Sequence, residues 1–125
     1  MVNDEATPLV IDIARSFISL VREIEPSWRK AYLRFCLRDS VSEAKGSYVH
    51  ESGVDIIDVV KHKDFFHPVA QKGQDLLAAL GKTEGVFLLV TDSSFDYEIK
   101  FEYQDLNRWR ISKLGGGTGV PSGIE

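Results

Sequence analysis

Near the N-terminus, Val10, Ile13, Ala14, Phe17, Leu20, Val21 and Ile24 recur at helical spacing, with Arg15, Ser19, Arg22 and Glu23 on the other side. That periodicity predicts an amphipathic helix. Thr7-Pro8 marks its start, a capping hydroxyl followed by a proline whose missing N–H costs nothing there. Pro26 ends it near Glu25, because a residue before proline avoids the α region. Leu9, Ile11 and Ile18 widen the apolar stripe, so the helix is expected to lie across a sheet.

From Lys30 the period becomes two. Ala31, Leu33, Phe35 and Leu37 alternate with Tyr32, Arg34, Cys36 and Arg38, the pattern of a half-buried strand. Asp39 to Gly46 is polar and turn-rich, Ser47 to Glu51 reads as a second strand, and β-branched Val54 to Val60 as a third. Helical spacing returns at Phe66, Val69, Ala70, Gly73, Leu76, Leu77 and Leu80, with Pro68 in the first turn and Gly81 as C-cap. Val86 to Val90 is a continuous apolar run expected to be a central strand. The polar turn Thr91 to Ser94 then leads into strict alternation. Phe95, Tyr97, Ile99, Phe101 and Tyr103 face inward as core, and Asp96, Glu98, Lys100 and Glu102 face outward. Asp105 to Leu114 reads as a short helix or turn. The fold expected is α+β: an antiparallel sheet of about five strands with two main helices on one face, in the order α-β-β-β-α-β-β.

The chain of 125 residues suits one domain, assigned to 1–114, with 115–125 as a flexible Gly-rich tail. Asp12, Arg15, Arg22 and Glu23 interrupt the longest apolar candidate for a membrane span, which needs roughly 20 residues. The acidic opening Met1-Val2-Asn3-Asp4-Glu5 is unlike a secretory signal, and the single cysteine suits a reducing compartment. A cytoplasmic protein is the expectation. A net charge of −4 argues against general nucleic-acid binding, whose footprint is a basic field.

Candidate chemistry is sparse. His62 and His67 lie five positions apart, outside the three-or-four spacing that helical metal ligands favour, and His50 stands alone. Cys36 has arginines two positions either side but no marked histidine partner. Asp96 and Glu98 project about 7 Å apart from one strand, without a pocket to raise either pKa. Neither a phosphate-binding glycine motif nor a cofactor signature occurs, so no enzyme, metal or cofactor is expected. Charge is segregated instead. Lys30, Arg34 and Arg38 share one side of the first strand, and Asp96, Glu98 and Glu102 share one side of the last, flanked by Asp92 and Asp105. If these strands are neighbours the charges pair across them; if not, the acids form a strip that can meet a basic partner. Trp28 and Trp109, flanking strands, are candidate interface anchors.

Two stretches carry a resemblance. One runs from the first helix through Ile24-Glu25-Pro26-Ser27-Trp28-Arg29-Lys30-Ala31-Tyr32-Leu33, and the other from Leu88 through the aromatic strand to Tyr103-Gln104-Asp105-Leu106. With the order of elements, over about residues 8–110, they resemble the YezG-like family of bacterial antitoxins and immunity proteins. The middle departs from that pattern, one helix standing where the family often has a longer helical region, and the Gly-rich tail is foreign to it. The resemblance implies a cytosolic immunity protein that binds the C-terminal domain of a cognate toxin, commonly a nuclease, and occludes its active site or substrate surface. Asp92, Asp96, Glu98, Glu102 and Asp105 are the candidate toxin-binding residues, standing in for phosphate in a basic cleft. The alternative is a small enzyme or ligand-binding domain with a pocket between helices and sheet.

Overall fold

The computed structural model describes residues 2–124, with backbone alone for residues 2–4. Helix α1 spans Val2–Ile24, strands β1, β2 and β3 span Lys30–Arg38, Val41–His50 and Gly53–Ile56, and helix α2 spans Lys63–Ala79. Strands β4 (Gly85–Asp92) and β5 (Tyr97–Glu102) complete a five-stranded sheet in the order β3-β2-β1-β4-β5, every neighbouring pair antiparallel. The expected α+β class and element order hold.

Both helices lie on one face. Ile13, Ala14, Phe17 and Val21 of α1, with Phe66, Val69, Leu76 and Leu77 of α2, pack on Ala31, Leu33, Phe35, Phe87 and Leu89 of the sheet. Phe35 and Phe87 stack with centroids 5.1 Å apart at the centre of this layer. Gly73 lets α2 approach: a Cβ there would stand 2.6 Å from the Phe35 ring.

The second face is covered as well, and by the chain's C-terminal end. Tyr32, Cys36, Val86 and Leu88 form a second core with Trp109 and Ile111, against which Leu106, Val120 and Ile124 pack. Within the stretch assigned as a flexible tail, residues 115–118 are exposed, whereas Gly119 to Ile124 lie against the second core, a placement not expected from composition. Gly119 N–H donates to Ser112 O at 3.1 Å and Ser122 N–H to Arg110 O at 2.9 Å, while Gly119 and Pro121 are buried. Glycine serves here because Gly119 takes φ +93° and a Cβ there would stand 3.0 Å from Val54 Cγ1.

Other boundaries also moved. Helix α1 begins at Val2, so Pro8 lies inside it, in the second turn, where it supplies no N–H to the helical ladder. Strand β2 starts at Val41, because Asp39 and Ser40 alone make the turn, at φ 52° and 65°. Both positive φ values fit the two-residue hairpin connection that matches strand twist. Pairing with β1 then recruits the polar stretch Val41 to Gly46. Strand β3 stops at Ile56, not Val60, where Asp58 Oδ1 accepts from Val60 N–H at 2.9 Å and starts a single helical turn over Val60–His62. Trp28 and Trp109 are buried and so belong to the core, not to an interface.

Candidate functional site

Strand β5 is an edge of the sheet, and β4 separates it from β1. The acids of β5 thus do not face the basic residues of β1; of the five candidate acids Asp92, at the end of β4, stands opposite Lys30 in the β1–β4 register. Arg34 is committed elsewhere: Nη1 donates to Glu43 Oε1 at 3.3 Å, Nη2 to Leu106 O at 2.7 Å and Nε to Arg108 O at 2.8 Å.

The hairpin leading into β5 is tied by backbone bonds. Phe95 N–H donates to Asp92 O at 2.9 Å, Asp92 N–H to Asp96 O at 3.1 Å, and Thr91 Oγ1 to the same carbonyl at 2.8 Å. This geometry turns the chain and then requires one residue in the left-handed region, a place glycine ordinarily fills. Phe95 fills it, at φ 69°. Its ring is 51% exposed, and the Arg22 guanidinium sits 5.1 Å from its centroid. Tyr97, two residues on, is 42% exposed. The expectation that the whole aromatic stripe is core thus fails at one end: Ile99, Phe101 and Tyr103 pack against the core, while Phe95 and Tyr97 face solvent. The N-terminal half of α1 flanks the inner residues, and its last turns leave an open cleft of about 520 Å³ beside Phe95, lined by Ser19, Arg22, Glu23 and Trp28.

The five candidate carboxylates are not equivalent. Asp92 Oδ1 accepts from Ser94 N–H at 2.9 Å and Asp96 N–H at 3.3 Å, so it caps the turn. Asp105 Oδ1 likewise accepts from Asn107 N–H at 3.1 Å. Glu102 accepts from Arg108 Nη1 at 2.7 Å and from the amides of Gln104 and Asp105 at 3.0 and 3.1 Å. The Arg108 hydrogen bond foremost, then those two amides, hold its carboxyl down at about 2. Among the described residues Glu98 meets only Lys100, at 3.3 Å on the same strand. Asp96 and Glu98 are exposed and hold up no turn, which leaves them the carboxylates best placed to meet a partner.

Elsewhere the chemistry is structural. His50 Nε2 lies 2.8 Å from Asp55 Oδ2, and Cys36 is buried beneath Leu106, its Sγ 3.7 Å from that carbonyl. Among the described residues no group of His, Cys, Asp and Glu could hold a metal ion, and no helix is long and apolar enough to cross a membrane. The interior between helices and sheet is filled by Phe17, Phe35, Phe87, Leu76 and Leu77. The clefts are shallow and superficial. One of about 320 Å³ lies beside Cys36, Arg38 and Arg110, and an apolar groove of about 440 Å³ runs between Val10 and Ile11 of α1, Leu80, and Tyr97, Ile99 and Phe101 of β5.

No family model matches the chain, and no curated protein matches it. Sequence reasoning found the acidic strand but missed Phe95 as a surface residue. The signal was available: a bulky aromatic directly after Asp92-Ser93-Ser94 stands where a short hairpin loop asks for glycine.

Proposed function

We propose that this protein is a stoichiometric protein-binding inhibitor, an immunity protein that covers a cognate bacterial toxin domain with the hairpin end of its sheet. Phe95 carries the reading. A large aromatic held in the left-handed region costs about 1–2 kcal/mol, and such local strain concentrates at functional sites. Here the strain presents a ring to solvent, beside exposed Tyr97 and the carboxylates of Asp96 and Glu98. Aromatic anchors ringed by charge suit a protein partner: the rings supply contact area and the acids steer a basic surface into register. A nuclease toxin, with a cleft built for phosphate, offers that basic surface, in line with the family resemblance of the two sequence stretches. In that cytoplasmic complex the acids occupy the cleft in place of nucleic acid, and the chain performs no reaction.

The test is co-expression with the product of the neighbouring gene, followed by binding kinetics. We expect a one-to-one complex whose association rate falls with salt. Charge reversal of Asp96→Lys and Glu98→Lys together should slow association and flatten that salt dependence. Unchanged affinity and an unchanged salt slope in a folded variant would remove the reading.

A further inference from the structure

We propose that the free edge of β5 is the seam of a symmetric dimer, in which two copies of this chain pair their β5 strands antiparallel about Ile99. The backbone sets the possibility. Asp92 N–H donates to Asp96 O, and β4 pairs with β5 in the register Val90↔Glu98, Leu88↔Lys100 and Val86↔Glu102. Alternation along an antiparallel ladder then turns the amides and carbonyls of Glu98, Lys100 and Glu102 towards β4. Those of Tyr97, Ile99 and Phe101 point out from the edge, a row of groups without a strand partner among the described residues, which templates another strand.

The side chains select the occupant. A twofold axis perpendicular to the sheet keeps both copies' helices on one face, and the registers centred on Ile99 and on Lys100 overlap the strand most, each pairing all but one of its residues. Centring on Lys100 sets Lys100 against its own copy and Glu98 against Glu102, all like charges. Centring on Ile99 sets Glu98 opposite Lys100 twice over, Tyr97 opposite Phe101 twice, and Ile99 against itself. Opposite charges and aromatic pairs directly across a ladder stabilise it, and like charges destabilise it. Just beyond the paired residues Asp96 meets Glu102, which already holds Arg108 at 2.7 Å. Of these two registers the one centred on Ile99 is the self-complementary one, the condition an isologous interface requires. The apolar groove between α1 and β5 runs along the same edge, so each copy extends the apolar contact with Val10 and Ile11. This pairing engages Glu98 and Tyr97, which the partner proposed above also uses, so the dimer is read on the isolated chain, where its failure and that of the partner reading stay distinct.

Sedimentation equilibrium of the full chain tests it. The mass should rise with concentration towards twice 14.0 kDa. Glu98→Lys alone and Lys100→Glu alone each place like charges opposite one another and should weaken association about tenfold. The double exchange Glu98→Lys/Lys100→Glu should restore it, with circular dichroism confirming the fold of each. A chain that stays monomeric at every concentration overturns the dimer. A Glu98→Lys variant that associates more tightly, or a double exchange that fails to recover, overturns the register.

Discussion

Arg34 Nη2 donates to the carbonyl of Leu106 at 2.7 Å, joining the middle of β1 to a segment 72 positions later in the chain. With the Nε bond to Arg108 O at 2.8 Å, this buried guanidinium clamps the C-terminal segment over the second face of the sheet. Arginine suits the task because its planar fork reaches two carbonyls at once.

Removing that clamp leaves two carbonyls without their donor. Arg34→Ala should lower unfolding stability by roughly 2–4 kcal/mol, read from urea denaturation. Glu43 touches the same guanidinium but is 71% exposed, and Glu43→Ala should cost below about 0.5 kcal/mol. Equal losses from the two variants would contradict a clamp built on the carbonyls.

Truncation after Leu114 tests the second core. It strips Val120 and Ile124 from beside Trp109 and Ile111. Half-buried apolar side chains of that size contribute about 1 kcal/mol each, so the loss should reach roughly 2 kcal/mol. Tryptophan fluorescence should shift to the red as Trp109 meets water. A tail without contacts would leave both observables unchanged.

The C-terminal cover that both variants probe bears on what was legible in the sequence. Alternation gave β1 and β5, and helical spacing gave α1 and α2, because each element buries one face and the period of burial is local. The C-terminal cover escaped because its apolar members, Trp109, Ile111, Val120 and Ile124, follow no period and are separated by glycines that composition reads as flexible. The polar half of β2 escaped because long-range pairing with β1, not its own side chains, makes it a strand. At the candidate site the carboxylates were visible as a list. Their ranking was not, since only coordinates separate Asp92, Glu102 and Asp105, which accept backbone amides, from Asp96 and Glu98, which stay exposed.

Glu102 supplies a pH dependence. Its carboxyl lies at about 2 in the folded chain, against the ordinary 4.5, chiefly through the Arg108 hydrogen bond. A depressed folded pKa means the charged form stabilises the fold. That contribution is complete above pH 4.5 and is lost as pH falls towards about 2. The stability difference between wild type and Glu102→Gln should therefore shrink steadily across this window. A difference constant with pH would show that the carboxylate is not preferentially bound.

Gly73 sets the spacing between α2 and the sheet. Alanine usually favours a helix interior over glycine by about 1 kcal/mol. Here a Cβ would stand 2.6 Å from two atoms of the Phe35 ring, which is itself stacked on Phe87. Overpacking of this kind costs about 1–3 kcal/mol, so Gly73→Ala should destabilise despite its propensity. A stabilised variant would mean that the central aromatic pair can shift freely.

Phe95 separates fold from function most directly. If its place in the hairpin were structural, replacing it should weaken the fold. Glycine, however, relieves a φ of 69° and forfeits only an exposed ring and the Arg22 guanidinium 5.1 Å above it. The relief of about 1 kcal/mol offsets a cation–π contact of about 0.5–1 kcal/mol, so Phe95→Gly should hold or slightly raise the melting temperature. On the proposed reading the same substitution removes the aromatic anchor, and capture of the proposed toxin partner should fall at least tenfold, mainly through faster dissociation. Phe95→Tyr, which keeps ring and strain together, should retain binding. A Phe95→Gly chain that melts earlier yet binds its partner unchanged would return this residue to the architecture of the turn.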